Sequence, residues 1–246
     1  MKNKKSKYDY IKQNVDSGQW DLIDSAREAL SVARRLRKKR RIDELEQWII
    51  QSPAHSVDYA RNFLSKRWIE AEDNIFTNGT PKIIFLYIAS LVKERCEKAE
   101  KIILKSSEFS YKYAKEILKR RWAEAEKSII SIEKSDIAEA SNFFMYNSFK
   151  YARDVIQDRW EDLEKIIINR PEALKYYAES IINDVLVEEL HNRMICFAMS
   201  SDPAEANAAR EYIDFARHIR IDLGKKLKRF DKNLSLQEIL QICENA

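Results

Sequence analysis

The stretch Tyr113-Ala114-Lys115-Glu116-Ile117-Leu118-Lys119-Arg120-Arg121-Trp122-Ala123-Glu124-Ala125-Glu126, with Ile129 just beyond it, decides the fold because its landmarks recur. Tyr59-Ala60-Arg61, Arg67-Trp68-Ile69-Glu70-Ala71-Glu72 and Ile75 repeat them at the same offsets, as do Tyr151-Ala152-Arg153, Arg159-Trp160-Glu161-Asp162-Leu163-Glu164 and Ile167. Tyr113, Ala114, Ile117 and Leu118 share one helical face, and Trp122, Ala125 and Ile129 share another. A polar stretch ending in Arg-Trp separates the two halves. The pattern predicts two short helices joined by a turn.

Working outward, weaker copies fill the intervals. Tyr87 with Arg95, Cys96, Ala99, Glu100 and Ile103 keeps the register, with Cys96 at the Trp position. Tyr177-Ala178 opens another copy, in which Val185-Leu186 replaces Arg-Trp. Upstream, Ile42 with Glu44, Leu45, Glu46 and Ile49 fits a second half, and Trp20 with Ile23 and Asp24 an earlier one. The markers Trp20, Ile42, Trp68, Cys96, Trp122, Trp160 and Leu186 give steps of 22, 26, 28, 26, 38 and 26 residues. The period is about 26, with an insertion of about 12 residues expected within Ser131–Asn142.

Pro53, Pro81 and Pro171 each stand six residues before a repeat Tyr, after Ser52, Thr80 and Arg170. Proline suits the first turn of a helix, where its missing N–H has no intrahelical acceptor to reach, and Ser or Thr before it can cap the free amides. Ser106-Ser107 takes this place ahead of Tyr113. A two-helix hairpin this short cannot bury its apolar stripe alone, so neighbours must cover it. The expected fold is all-α, an α-solenoid of stacked helix-turn-helix hairpins with the repeated Trp and Ile inside.

Composition agrees with that expectation and excludes several classes. The 246 residues are 45% hydrophobic, with only 3 Gly and 4 Pro. Folds that cradle phosphate on glycine-rich loops are thereby excluded, and an all-β sandwich would need more turns. Cys96, Cys196 and Cys243 are too far apart for metal-ligand spacing and odd in number, which reads as reduced thiols. The basic start lacks an apolar core like that of a secretory signal, and no apolar run approaches membrane-spanning length. A cytoplasmic location and no membrane partner are expected.

The repeat resembles a short helical repeat of uncharacterised bacteriophage-encoded proteins, whose units carry Tyr-Ala, then Arg-Trp, then Glu-Ala-Glu. The likeness covers about Arg41 to Leu190. Relatives have Gly before Arg-Trp and Pro after it; here Lys66 and Ile69, Arg120 and Ala123, or Asp158 and Glu161 stand there. The resemblance implies a phage origin, hence the host cytosol, and a binding scaffold without an activity.

Three regions follow: residues 1–41 as basic N-terminal helices capping the solenoid, 42–190 as the repeat array, and 191–246 as a C-terminal helical cap. The first holds 13 basic and 5 acidic side chains. The candidate partner-binding residues are Arg34, Arg35, Arg37, Lys38, Lys39, Arg40 and Arg41, more cations than one helix terminus can use. In the cap, a helix is expected from Pro203 through Ala216, a basic run after Gly224, and a last amphipathic helix from Ser235 with Leu236, Ile239, Leu240 and Cys243 on one face.

No residue pattern points to catalysis. Glu70 with Glu72, or Glu124 with Glu126, point apart on a helix and do not make an acid–base pair. His55, His191 and His218 lack ligand partners at metal spacing, apart from Glu188 near His191. No catalytic residue, cofactor or metal is expected. The repeated Trp could serve as a base-stacking platform, but its spacing fits a core residue better. Arg67, Arg95, Arg121 and Arg159 could form a ladder for phosphate; the simpler expectation pairs each with a Glu, for instance Arg121 with Glu124. Two functions remain: a non-enzymatic solenoid that binds a host or viral protein, with inhibition of a host defence protein as the role the phage resemblance suggests, or an RNA- or DNA-binding module anchored by the basic cluster.

Overall fold

A computed structural model describes residues 23, 25–36, 43–139 and 145–230 of the chain. Every regular element among them is helical. The chain divides into two compact units, Met1–Ser128 and Ile129–Ala246, and the division falls within one helix. Trp20, Ile42, Arg37–Arg41 and the amphipathic segment from Ser235 lie outside the described residues, as do the side chains of Arg35 and of residues 221–230.

In the N-terminal unit, α1 (Ala26–Leu36) is followed by α2 (Asp43–Ile49), α3 (Pro53–Tyr59), α4 (Ile69–Asn78), α5 (Pro81–Tyr87), α6 (Glu97–Ile103) and α7 (Ser107–Tyr113). Helix α8 (Ala123–Glu139) contains the division point. Contacts run between sequence neighbours and between every second helix: α3 with α5, α5 with α7, and α4 with α6. First-half helices thus contact one another in succession, and the second-half helices α4 and α6 do likewise.

Local sequence explains how each first helix starts and stops. Pro53 and Pro81 occupy the first turn of α3 and α5. Thr80 Oγ1 accepts from the Ile83 amide at 3.4 Å, whereas the Ser52 side chain makes no cap and lies 2.7 Å from His55 Nδ1. At the other end, each helix widens after its Tyr into a single π-helical turn, Ala60–Leu64, Ile88–Val92 and Ala114–Leu118. The next residue takes a left-handed conformation: Ser65 at φ 53°, Lys93 at 60° and Lys119 at 53°. The Ser65 and Lys93 amides reach back to the carbonyls of Ala60 and Ile88 at 2.8 and 2.7 Å. Helical spacing alone does not disclose a π turn, so the sequence pattern read this segment as plain α-helix.

The repeat Trp also stands outside the helices, one residue earlier than its spacing suggested. Trp68 (φ −112°, ψ 86°) and Cys96 (φ −133°, ψ 97°) are non-helical and accept the first amides of the second helices. This puts the indole under the turn. Trp68 and Trp122 are buried, each tilted against the repeat Tyr of its own unit at a centroid distance of 5.3 Å. Ile75, Ile103, Ala71, Ala99 and Ala125 are wholly buried, as the helical stripe requires. Gly79 ends α4 where space is shortest: a Cβ there would lie 2.3 Å from the Ile75 carbonyl oxygen.

The C-terminal unit repeats this anatomy in α9 (Asn147–Tyr151), α10 (Glu161–Ile167), α11 (Pro171–Tyr177) and α12 (Glu188–Phe197). The π turns Ala152–Ile156 and Ala178–Ile182 touch each other and end in left-handed Gln157 and Asn183. Trp160 is buried. The expected insertion lengthens a second helix, α8, which runs 17 residues where α6 and α10 run 7. The added turns carry Glu133, whose buried carboxylate accepts from the Asn147 amide (3.1 Å), the Asn147 side chain (2.9 Å) and the Ser148 amide (2.9 Å). It caps α9, whose N-cap residue Tyr146 supplies no side-chain cap and whose first turn has no Pro. Helix α13 (Pro203–Phe230) continues past the expected end at Ala216 and through Gly224.

Candidate functional site

The repeated polar residues converge just below the turn. Trp68 is buried and precedes its helix, so its backbone N–H has no helical acceptor and no water. Tyr87, the repeat Tyr of the next copy, supplies one: the Trp68 amide donates to Tyr87 Oη at 2.9 Å. The same phenol donates to Glu72 Oε1 at 2.9 Å, and Arg67 grips both Glu72 oxygens at 2.9 and 3.0 Å. Four groups from two consecutive copies thus complete one another's hydrogen bonds.

The constellation recurs with small variations. The Cys96 amide donates to Tyr113 Oη at 2.8 Å, Tyr113 approaches Glu100 at 3.5 Å, and Arg95 holds Glu100 at 2.8 and 3.1 Å. In the C-terminal unit, the Trp160 amide donates to Tyr177 at 2.6 Å and Arg159 holds Glu164 at 3.1 and 2.7 Å. The degenerate second copy keeps its centre, since Tyr59 Oη donates to the buried Glu46 at 3.1 Å.

The last instance departs in a correlated way. Val185 and Leu190 stand where other copies have the Arg and the Glu, so both charges are gone together. The Leu186 amide still donates to a phenol, that of Tyr212 on α13, at 3.2 Å. His191 Nδ1 lies 2.8 Å from the same oxygen and takes over the position of the carboxylate. The amide-to-phenol hydrogen bond therefore recurs beyond the segment where the sequence similarity ends.

Burial raises the pKa of the Tyr87, Tyr113, Tyr177 and Tyr212 phenols. Tyr113 and Tyr212 are pushed up to about 12, while Tyr87 and Tyr177 are raised further; the hydrogen bonds from the Trp68 and Trp160 amides oppose that rise. Hydrogen bonds to Glu72 and Glu100 hold the Arg67 and Arg95 guanidinium groups above their ordinary range. Burial, and then the charge of Arg220, lowers His191.

Sequence reasoning located the Arg residues but misassigned a partner. Arg121 pairs with Glu126, at 3.0 and 2.8 Å, five residues on, and not with Glu124, which is exposed. Arg121 lies in the non-helical segment before α8, so the helical spacing behind the Glu124 expectation does not apply there. The indoles Trp68, Trp122 and Trp160 are buried and offer no stacking platform. The phenol bridge was not anticipated, although a buried Tyr at fixed distance from Arg and Glu signals a hydroxyl that needs a partner.

Of the candidate partner-binding residues, Arg34 is exposed on α1 and donates to Asp58 at 2.5 Å. The backbone of Arg35 belongs to the same helix, and Arg37, Lys38, Lys39, Arg40 and Arg41 lie outside the described residues. Among the described residues no group of three or more His, Cys, Asp or Glu side chains could hold a metal ion, and no helix is long and apolar enough to cross a membrane. No family model matches the chain, and neither a curated protein nor a solved structure is detectably similar to it.

Proposed function

We propose that the chain is a non-enzymatic, protein-binding α-solenoid of stacked two-helix units with a period of about 26 residues. One observation carries the reading: the residues common to the repeats spend their polar groups on each other, Arg on Glu, Glu on Tyr and Tyr on the preceding turn, so the repeat builds an edge and not a reaction centre. Stacked repeats of this kind present long surfaces on which residues outside the motif vary freely. A phage origin, a cytosolic location and inhibition of a host defence protein extend the resemblance of the Tyr-Ala, Arg-Trp and Glu-Ala-Glu motif.

The test is capture of partners from bacterial host lysate on the full tagged chain, with mass spectrometry and reconstitution of any complex from purified components. The reading expects a stoichiometric protein that survives nuclease treatment. A preparation that retains only nucleic acid, or no component in stoichiometric amount, overturns it.

A further inference from the structure

The stitched arginines are neutralised by their own carboxylates, which separates them from a second set of cations at the same edge. In the N-terminal unit, the left-handed residue and the one after it are Ser65-Lys66, Lys93-Glu94 and Lys119-Arg120, which place the cations Lys66, Lys93, Lys119 and Arg120 at the turns. All four are exposed, and among the described residues none has an ion pair or a hydrogen-bonding side-chain partner. Glu94, beside Lys93, is engaged by Arg67 at 3.4 Å. The row is built by the fold. Because α3, α5 and α7 contact in succession, and Tyr87 and Tyr113 each bind the turn of the preceding copy, the three turns come to one edge.

The equivalent turns of the C-terminal unit carry Gln157, Asp158, Asn183 and Asp184. The same backbone, left-handed residue included, therefore holds Lys66, Lys93, Lys119 and Arg120 beside Ser65 and Glu94 in one unit, and only neutral or acidic groups in the other. The turn geometry does not require lysine, and at Lys93 and Lys119 a long side chain is kept at a positive φ that glycine would adopt more readily.

We infer that this edge of the N-terminal unit is a docking strip for an acidic segment of a partner protein. The inference rests on the protein-binding reading above. Packed helices lie about 8–10 Å apart, so the strip offers positive charge at steps of that size. Carboxylates two turns apart on a helix, or three residues apart on an extended chain, match it at about 10 Å. A nucleic acid fits the edge less well. The indoles are buried beneath it, and the exposed carboxylates Glu97 and Glu124 follow the turns closely in sequence, where a continuous row of phosphates would be repelled.

The experiment measures fluorescence anisotropy of a labelled helical peptide with Glu pairs every seventh residue, its Gln counterpart, and an oligothymidylate of about twenty nucleotides, each against the full chain. The acidic peptide is expected to bind, and the combined K66Q, K93Q, K119Q and R120Q variant to weaken it about tenfold. Swapping the same positions between Lys and Arg should preserve binding. A control with equal charge loss elsewhere, K82Q, K98Q, K101Q and K105Q, should leave it unchanged, and circular dichroism checks that each variant is folded.

Absent binding of the acidic peptide, equal weakening by both Gln variants, or tighter binding of the oligothymidylate overturns the inference. A lysate protein captured equally by wild type and by the strip variant removes the strip while leaving the protein-binding reading intact.

Discussion

Replacing Tyr87 by Phe isolates the stitch, because it deletes one oxygen and keeps the ring that packs edge-on against Phe76 at 5.9 Å. Two interactions go with that oxygen. The buried Trp68 amide loses its acceptor, which costs about 1–3 kcal/mol for an unpaired buried donor. Glu72 loses one donor but keeps both bonds from Arg67, so its share is smaller, about 1 kcal/mol. The total is about 2–4 kcal/mol, a large part of the 5–15 kcal/mol typical of a domain.

Glu72→Gln is the instructive contrast. It leaves the phenol and the Trp68 amide paired and weakens only an ion pair whose arginine is 40% exposed, so about 1 kcal/mol or less is expected. Urea unfolding of both variants, read together with hydrogen exchange at the Trp68 amide, separates the two. With two compact units in the chain, the exchange at a single amide reports the local effect without assuming one all-or-none transition. If Tyr87→Phe leaves the protection of that amide unchanged, or costs no more than Glu72→Gln, the phenol is not what completes the turn and the reasoning fails.

Glu133→Ala should cost about 1–2 kcal/mol and deprotect the Asn147 and Ser148 amides in exchange, since it removes the only carboxylate found capping α9 among the described residues. Trp122→Ala should cost about 3–5 kcal/mol in chemical denaturation, as expected for a buried indole. At Lys119, substitution by Val should destabilise by about 1 kcal/mol or more while Gly is tolerated, because a β-branched residue resists positive φ; thermal melts rank the two. Alkaline titration should lower stability. The folded-state pKa values of Tyr113 and Tyr212 lie near 12, above the ordinary value of 10, so their contribution is intact below pH 10 and is lost as pH rises through about 12. Denaturation followed across that window by circular dichroism checks it, and unchanged stability would count against buried phenols.

Helical class and the burial of Trp68, Trp122 and Trp160 were legible because apolar spacing reports which face is covered and repetition multiplies the signal. Three things were not. The π turns left no trace in the spacing, since Ala114, Ile117 and Leu118 fit an α-helix equally well. The partner of Arg121 depended on backbone that is not helical, where helical distance rules do not apply. Tyr212 was invisible as a repeat residue because it stands 26 residues from Leu186, where the stitches of Trp68, Cys96 and Trp160 span 17 or 19, and because Ile213 follows it where the copies of Tyr59, Tyr113, Tyr151 and Tyr177 have Ala. Among the candidate contact residues, the basic cluster was conspicuous by charge density. The turn lysines were not, because each is an isolated cation until folding lines them up.

Each stitch points backward along the chain: the amide of one copy waits for a phenol made later. The distances are 19 residues from Trp68 to Tyr87, 17 from Cys96 to Tyr113, 17 from Trp160 to Tyr177 and 26 from Leu186 to Tyr212. On a ribosome adding about 5–20 residues per second, an emerging hairpin spends on the order of one to five seconds incomplete before its successor can latch it. Growth is thus vectorial, with each newly finished segment locking the one before, and the final latch must come from outside the series. Tyr212 on its long helix performs that closing step, so a chain stopped short of it would leave its last loop permanently ajar.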